Sequence, residues 1–277
     1  MVNSSKKPVA VIKVGGDMLL EQADREGLAR NIRDLLEQDW HCVILHGGGP
    51  QLNALQEKHG LVPTKVDGRR VTGSKDLLVV KQALCGEVNV DLVSALIAQG
   101  INAFGCHGAS AQLIQAEKRP PMDFGEKGMI DLGEVGDVTQ VNSVLINHLL
   151  HADLTPVIAS LGVDKSGRVF NINADTTVAA IAASLNADLL ILSTKVGGIF
   201  TDINDVDSRL PQVTPRSARR LIEDGVITDG MIPKVNEALA LLDEGVSSIA
   251  ICNASQEGSF INLAQGKASI GTRLLKD

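Results

Sequence analysis

Short apolar runs that end in consecutive glycines recur along this chain, and helical patterns lie between them. Residues 43–55, VILHGGGPQLNAL, show this arrangement most clearly, because the apolar run passes through three glycines and a proline into a helical sequence. The run at 8–14 likewise ends at Gly15 and Gly16, and the run at 188–194 leads to another glycine pair. Continuous apolar runs of this length are typical of strands buried on both faces of a parallel sheet. The chain is therefore predicted to be an α/β protein with helices covering both faces of its sheet.

The spacing of the apolar residues also predicts where the elements lie. Strands are predicted at residues 8–14, 42–46, 101–106, 155–163, 168–173, 188–194 and 247–254. Helices are predicted at residues 19–38, 50–60, 74–100 (as one helix or two), 141–153, 174–187, 217–224 and 231–244. Ser74 is expected to cap its helix, and Gly60 and Gly100 are expected to end theirs. Residues 111–141, rich in glycine and containing two prolines, predict turns and short hairpins.

The chain shows no linker, low-complexity segment or internal repeat. We therefore predict a single domain spanning 1–277, with two lobes at 1–163 and 164–277. Its 277 residues are enough to bury one large core.

Composition excludes several classes of protein. The net charge is −7 without a basic block, which argues against a nucleic-acid partner. No apolar run approaches the roughly 20 residues that a membrane span needs, and the N-terminus does not resemble a signal peptide. The four cysteines have no metal-ligand spacing and are expected to be buried thiols in a reducing compartment. A cytoplasmic protein with no membrane partner is predicted.

The glycine turns are the first candidate site. Ligands of open α/β sheets bind beyond the carboxyl ends of the strands, where glycines let backbone N–H groups approach phosphate oxygens. The alternative is turn geometry alone. The chain contains neither GxxxxGK[ST] nor GxGxxG after a strand, so a P-loop NTPase or a Rossmann dehydrogenase is not expected.

Two lysines and one acid are the next candidates. Lys13 interrupts an apolar strand two residues before Gly15, so it needs either solvent or an anion. Lys234 lies near the start of a predicted helix, where a cation opposes the helix dipole unless it has a negative partner. Asp175 opens another helix and could be its N-cap or could hold the lysines in place.

Four further polar residues complete the candidates. Asn171 and Asn173 alternate on a predicted strand, so their side chains should face the same way. Arg69 and Arg70 are a candidate fork for a carboxylate substrate, although exposed surface arginines are the commoner case. Together with the lysines and the acid, these residues suit phosphoryl transfer, which depends on positioning and charge neutralisation and needs no protein nucleophile. The six histidines form no metal pattern.

An ordered set of motifs resembles the amino acid kinase family, specifically those members that phosphorylate the γ-carboxylate of N-acetyl-L-glutamate. The motifs are IKVGGDML, VILHGGGPQLN, GRRVTG, GEVNVDLVSAL, LGEVGDVTQVN, FNINADTTVAAIAASLNADLLIL, ITDGMIPKV and GTRLL. The resemblance implies a three-layer αβα sandwich around a mainly parallel, roughly eight-stranded open sheet. It implies that the N-terminal lobe binds the acyl amino acid, that the C-terminal lobe binds ATP with its Mg²⁺, and that the reaction is the second step of arginine synthesis.

The resemblance also implies roles for individual residues. Lys13 and Lys234 would neutralise charge on the transferred phosphoryl group, and Asp175 would orient both lysines. The nucleotide side would comprise Gly15, Gly16, Gly48, Lys195, Gly197 and Lys234. The substrate side would comprise Gly48, Gly49, Arg70, Asn171 and Asn173. No residue is assigned as a metal ligand.

Two departures from the family pattern keep alternatives open. Lys195 stands where relatives usually carry aspartate, and the segment FGCHGASAQLI lacks the polar residues typical of the substrate lobe. The alternatives are a kinase for N-acetyl-aminoadipate or a carrier-linked analogue, and a catalytically weak paralogue that acts as a sensor or binding subunit. Because only about seven residues precede the first predicted strand, the resemblance leads us to expect an arginine-insensitive homodimer.

Overall fold

The computed structural model describes residues 6–202, 204–227, 232, 235–236, 239–240, 242, 246, 248–267 and 270–276. Its strands are β1 (Val9–Val14), β2 (His41–His46), β3 (Lys65–Val66), β4 (Arg69–Arg70), β5 (Ala103–His107), β6 (Ile114–Lys118), β7 (Met122–Asp123), β8 (Met129–Ile130), β9 (Val135–Val141), β10 (Thr155–Ala159), β11 (Leu161–Val163), β12 (Val169–Ile172), β13 (Leu189–Ser193), β14 (Gln212–Val213), β15 (Ile249–Cys252) and β16 (Thr272–Leu274). Its α-helices are α1 (Gln22–Glu37), α2 (Gly49–Lys58), α3 (Ser74–Lys81), α4 (Asn89–Ala98), α5 (Ser143–His151), α6 (Ala174–Leu185), α7 (Pro215–Glu223) and α8 (Ser259–Ala264).

Eight strands form the central sheet, in the order β14-β16-β15-β13-β1-β2-β10-β5. Strand β16 is antiparallel to β15, and the other neighbouring pairs are parallel. The prediction of a mainly parallel, roughly eight-stranded open sheet is confirmed. Because β1 lies between β13 and β2, the glycine turns that follow these strands end at one edge of the sheet.

Apolar side chains cover both faces of this sheet, as the continuous apolar strands predict. Adjacent residues of β1 point to opposite layers: Val11 belongs to the core under α5 and α6, and Ile12 belongs to the core under α1, α4 and α8. Both side chains are fully buried. The three-layer arrangement of helices, sheet and helices is therefore confirmed.

The cysteines are consistent with their predicted role as buried thiols. Cys42, Cys106 and Cys252 are buried and Cys85 is half-buried, and all four are free. Burial raises the thiol pKa of the first three to about 12 and that of Cys85 to about 11, so these groups stay protonated at neutral pH.

A second, smaller sheet was not foreseen. Strands β6, β9, β11 and β12 close into a four-stranded barrel. The sequence predicts only hairpins over 111–141, and one is present as β7–β8, but β9 also pairs with β12 more than thirty residues later. The division into lobes at 163/164 stays a prediction, and it falls between β11 and β12 of this barrel.

Several boundaries differ from the prediction. The strand predicted at 155–163 breaks at Ser160, where the chain leaves the central sheet and enters the barrel. Ser74 is the first helical residue rather than the cap; Gly73 precedes the helix, and the Asp76 carboxylate accepts a hydrogen bond from its N–H. The helix predicted at 231–244 lies largely outside the described residues.

The stretch from 74 to 98 is continuously helical, but its middle, Gln82–Val88, is a π-helix. Gly100, with φ of 77°, ends it as predicted. Within the described parts of the chain, no helix has the length and apolar character that crossing a membrane requires.

Candidate functional site

An ion pair between Lys13 and Asp175 lies at the carboxyl edge of the sheet. The Lys13 Nζ atom is 3.0 Å from Asp175 Oδ1, and the two side chains are 19% and 30% exposed. Lys13 extends from the central strand β1, on the same face as Val11, towards the first turn of α6. The structure thus brings together two residues that are 162 positions apart, and the carboxylate compensates the charge of a half-buried lysine.

Asn173, two residues earlier, leaves the Asp175 carboxylate available for this pair. The Asn173 Oδ1 atom accepts hydrogen bonds from the backbone N–H groups of Asp175 (2.7 Å) and Thr176 (3.2 Å). Asn173 is therefore the N-cap of α6, in an extended backbone conformation directly after β12, which ends at Ile172. The alternative that Asp175 is the cap is wrong, because Asn173 takes that position.

The glycine turns after β1 and β2 are in direct contact. A Cβ atom on Gly16 would lie 2.8 Å from both Gly48 Cα and Gly49 N, and a Cβ on Gly48 would lie 2.6 Å from Leu84 Cδ2. Gln51 Nε2 donates to Gly16 O at 2.8 Å, which links the two turns. Backbone atoms thus require glycine at 16, and at 48 a larger residue would displace Leu84; the contact brings the turn after β1 against the N-terminus of α2.

A cleft of about 780 Å³ opens beside this edge. It is lined by the glycine turn at 47–49, the start of α6 and the β3–β4 hairpin, and its lining includes Asn171, Asn173 and Asp175. Lys13, Gly15, Gly16, Lys195 and Gly197 are not part of its lining.

Arg70 enters the cleft from β4 and is held by α2. Its guanidinium donates to Gln56 Oε1 at 2.5 Å and also to Asn53 Oδ1. Gln56 in turn donates to Asp76 Oδ1 at 2.5 Å. Burial lowers the pKa of Arg70 and Asp76 raises it, so the group remains a cation at neutral pH. Two of its five N–H donors face α2, and the others can serve an anion in the cleft.

Asn171, which also lines the cleft, donates from Nδ2 to Thr72 Oγ1 at 3.0 Å. Thr72 is fully buried beside Gly133. The predicted substrate residues Arg70 and Asn171 are thus both oriented by neutral polar side chains that sequence reasoning did not select.

Two cations of the cleft were missed, Lys65 and Arg119, while Arg69, considered together with Arg70 in the sequence analysis, also lines it. Arg119 is 8% exposed and pairs with Asp137. For Lys65, a signal was present: the Asp-Gly dipeptide at 67–68, with φ of 46° and 79°, is a strong local indicator of a hairpin. That hairpin carries Lys65 and Arg69 over the cleft.

The proposed nucleotide-side residues occupy a neighbouring position. Lys195 follows β13, and its Nζ lies 3.2 Å from Asp24 Oδ2 on α1. Gly197 has φ of 79°, and its backbone packs against Asn253. A Cβ on Gly15 would lie 3.8 Å from Ser193 O, so this turn adjoins the end of β13. Lys234 lies outside the described residues.

A sheet edge with paired glycine turns, a lysine–aspartate pair and an arginine-lined cleft defines a site for anionic ligands. Comparison with known families agrees: the profile of the amino acid kinase family matches residues 8–253. The chain therefore belongs to the amino acid kinase family.

Two individual relatives show which kinases of the family this chain is similar to. An acetylglutamate kinase from Anaeromyxobacter sp. (strain Fw109-5) is 40% identical over 267 residues, covering 96% of this chain and 98% of that protein. The acetylglutamate kinase of Methanopyrus kandleri is 42% identical over 244 residues, covering 88% and 94%.

Solved structures share the fold. A structure from Streptococcus mutans UA159 superposes with a TM-score of 0.76 at 29% identity, covering 97% of this chain and 99% of that one. Giardia carbamate kinase superposes with a TM-score of 0.70 at 17% identity, covering 99% and 100%, which supports the fold alone.

Proposed function

We propose that this protein is an acetylglutamate kinase, which transfers the γ-phosphoryl group of ATP to the γ-carboxylate of N-acetyl-L-glutamate. The observation that carries the reaction type is the Lys13–Asp175 ion pair at the edge where the two glycine turns meet. The acetylglutamate kinases that match at about 40% identity over 96% of the chain supply the acceptor.

The acyl amino acid occupies the cleft in this proposal. Arg70 binds its α-carboxylate through the guanidinium donors that do not face α2. Asn171 lines the same cleft and contacts the substrate, and Gly48 and Gly49 border its γ-carboxylate. The amide oxygen of Asn173 serves the helix cap, so its Nδ2 group is the part that can serve the substrate.

ATP approaches from the neighbouring edge, towards β13. The N–H groups of Gly15, Gly16 and Gly48 face the transferred phosphoryl group, and Lys13 neutralises charge as it develops. Lys195 and Gly197 contact the nucleotide, and Lys234 acts on the leaving oxygen. No protein nucleophile takes part, because the substrate carboxylate attacks phosphorus directly.

Mg²⁺ accompanies the nucleotide in this proposal. Among the described residues, no group of three or more His, Cys, Asp or Glu side chains has the arrangement of a metal site. Magnesium at kinase sites is commonly held by substrate phosphates, with one or two carboxylates and water. Such a site does not need a cluster of protein ligands. When bound, the ion would neutralise phosphate charge.

A hydroxamate assay tests the activity. Purified protein is incubated with ATP, Mg²⁺ and hydroxylamine, which traps an acyl phosphate, and N-acetylglutamate is compared with N-acetyl-aminoadipate, glutamate and aspartate. Turnover on N-acetylglutamate alone is expected. Preference for N-acetyl-aminoadipate would mean that this compound, and not N-acetylglutamate, is the phosphoryl acceptor. Ligand binding without turnover on any substrate would favour a sensor.

We also propose that the protein is a cytoplasmic homodimer. Val90 and Ile97 on α4 are 60% and 57% exposed, and Phe104 on the edge strand β5 is 41% exposed. A second copy covering this face would bury these side chains and the open sheet edge. Light scattering should give twice the chain mass, and Ile97→Lys should give the monomer; a monomeric parent protein would contradict the proposal.

A further inference from the structure

His46, the last residue of β2, is buried directly behind the glycine turn. Its Nδ1 atom is 2.9 Å from Gly47 O, and its Nε2 atom is 2.9 Å from Asn89 Nδ2. An amide NH₂ group only donates, so Nε2 accepts and the ring proton lies on Nδ1, which donates to Gly47 O. Complete burial lowers the pKa of His46 to about 4, so the ring is neutral at physiological pH.

Asn89, the first residue of α4, is fixed by a second hydrogen bond. Its Nδ2 group also donates to Val157 O on β10 at 3.0 Å, so both amide hydrogens have acceptors. The side chain is 6% exposed. A Cβ on Gly105 would lie 2.4 Å from Asn89 Oδ1, so glycine at that position of β5 makes room for it.

The π-helix Gln82–Val88 packs against the same turn. The Cβ position of Gly48 is 2.6 Å from Leu84 Cδ2 and 3.1 Å from Val88 Cγ2. Hydrogen bonds of a π-helix join residues five apart, so Leu84 and Asn89 can face the turn together. π-Helices are rare overall, and those that occur are frequently found at functional sites. The position of this one beside the glycine turn agrees with that tendency.

Three consecutive glycines need such support. A Cβ on Gly47 would find only Ala174, at 3.9 Å, and a Cβ on Gly49 would find nothing within 4 Å. Of the three Cβ positions, only that of Gly48 meets close neighbours, although the backbone N of Gly49 also packs against Gly16. Both polar groups of Gly47 are instead held by hydrogen bonds: its N–H donates to Val14 O at 3.1 Å, and its carbonyl accepts from His46.

We propose that His46 and Asn89 are positioning residues that hold the Gly47 peptide in one orientation, so that the N–H groups of Gly48 and Gly49 point at the transferred phosphoryl group. Leu84 and Val88 of the π-helix pack against the turn at Gly48. This inference rests on the proposed function, because it assigns those N–H groups to phosphoryl transfer. Preorganised donors accelerate a reaction only when their orientation is fixed before the substrate reacts.

Steady-state kinetics of Asn89→Leu test the proposal. We expect kcat to fall ~10–100-fold while the KM for N-acetylglutamate changes less than about threefold, since the lost interaction acts in the transition state. Asn31→Leu is the matched control: Asn31 is also a buried helical asparagine, and its Nδ2 donates to backbone carbonyls at 254 and 256. It should lower stability and leave kcat unchanged. Wild-type kcat in Asn89→Leu would overturn the proposal.

Two conservative variants test the hydrogen bonds of Nδ1 and Nε2 separately. His46→Asn places a donor near the Nδ1 position, and His46→Gln places an acceptor near the Nε2 position. Because the bond to Gly47 O orients the peptide, His46→Asn should retain more of the wild-type kcat than His46→Gln. The reverse order would overturn the role of Nδ1. If Asn89→Leu does not fold, Leu84→Ala applies the same test, and its failure to lower kcat would overturn the role of the π-helix.

A measurement without turnover separates this inference from the proposed function. In glycine-labelled protein, the amide resonances of Gly47, Gly48 and Gly49 should be single and sharp, and in His46→Gln they should broaden or split as the turn samples several orientations. Unchanged resonances would overturn the positioning role. An inactive wild-type protein would refute the proposed function, while these resonances would still decide the inference.

Discussion

At the scale of single residues, the site depends on how the charge of Lys13 is compensated. A lysine in a central strand is tolerated here because one carboxylate lies 3.0 Å from it and because both side chains retain some solvent contact. Under the proposed function, Asp175 fixes the position of the ammonium group for the transferred phosphoryl group.

Asp175→Asn is predicted to lower kcat by ~10²–10³-fold, because the lysine loses the group that fixes its position at the developing charge. The KM for ATP should change far less. Asp131→Asn is the control, since Asp131 forms an ion pair with Lys118 at 2.6 Å on the surface. Steady-state kinetics of both variants decide the matter, and equal kcat values would contradict the role of Asp175.

Ala111 and Gln112 are predicted to carry backbone strain. Both adopt left-handed conformations, with φ of 47° and 53°, which non-glycine residues rarely do. Ala111→Gly and Gln112→Gly should each raise the free energy of unfolding by about 0.5–1 kcal/mol, the relief of strain exceeding the added entropy of the unfolded chain. Ala109→Gly, at φ of −76°, should instead destabilise the protein. Urea titration measures all three, and destabilisation by every glycine would refute the prediction.

At the scale of elements, the cap of α6 is both structural and functional. Asn173 caps this helix, and Asp175, two residues later, pairs with Lys13. A change at the cap therefore alters the backbone that carries a functional side chain.

Asn173→Ala is predicted to lower the free energy of unfolding by about 1 kcal/mol and to lower kcat as well. Thr214→Ala removes the equivalent cap of α7, whose hydroxyl accepts from Ser217 N at 3.2 Å, and should lower stability by a similar amount with no effect on kcat. Urea denaturation and steady-state kinetics are needed for both. Identical kinetic behaviour of the two variants would show that the cap serves stability only.

At the scale of the whole molecule, the central sheet positions the glycine turns and Lys13, while the small hairpin and the barrel add Arg70 and Asn171. Strands β13, β1 and β2 are neighbours, so turns separated by more than a hundred residues meet at one edge. Such a core also buries His46 completely, which links the stability of the molecule to pH.

The free energy of unfolding is predicted to fall as pH decreases from 6.5 to about 4. The pKa of His46 is lowered from 6.5 to about 4 by burial, so over this range the unfolded chain binds a proton that the folded protein does not. The full contribution is about 3 kcal/mol, at roughly 1.4 kcal/mol per pKa unit. Urea denaturation at pH 7.5 and 4.5 should show a smaller loss for His46→Gln than for the wild type, and equal losses would contradict the assignment.

The sequence by itself determined the class of fold and most of its elements. Apolar runs of strand length, helical periodicity and glycines at the strand ends are local signals, because backbone sterics and burial act on neighbouring residues. The candidates Lys13 and Asp175 were selected on the same basis: Lys13 interrupts an apolar strand, and Asp175 opens a helix, where it could cap the helix or hold the lysines. Asn171 and Asn173 line the same cleft, but the alternation pattern did not indicate that β12 ends at Ile172 and that Asn173 caps the next helix.

Only the tertiary structure decided which side chains meet. The contact between the turns at 16 and 48, the packing of Leu84 and Val88 on Gly48, and the His46–Asn89 hydrogen bond join segments that carry no local signal for one another. The same holds for the four-stranded barrel and for the pairing of Lys195 with Asp24. These contacts arise from the order of strands in the sheet, which is set by the packing of the whole chain and cannot be inferred from the pattern of any single segment.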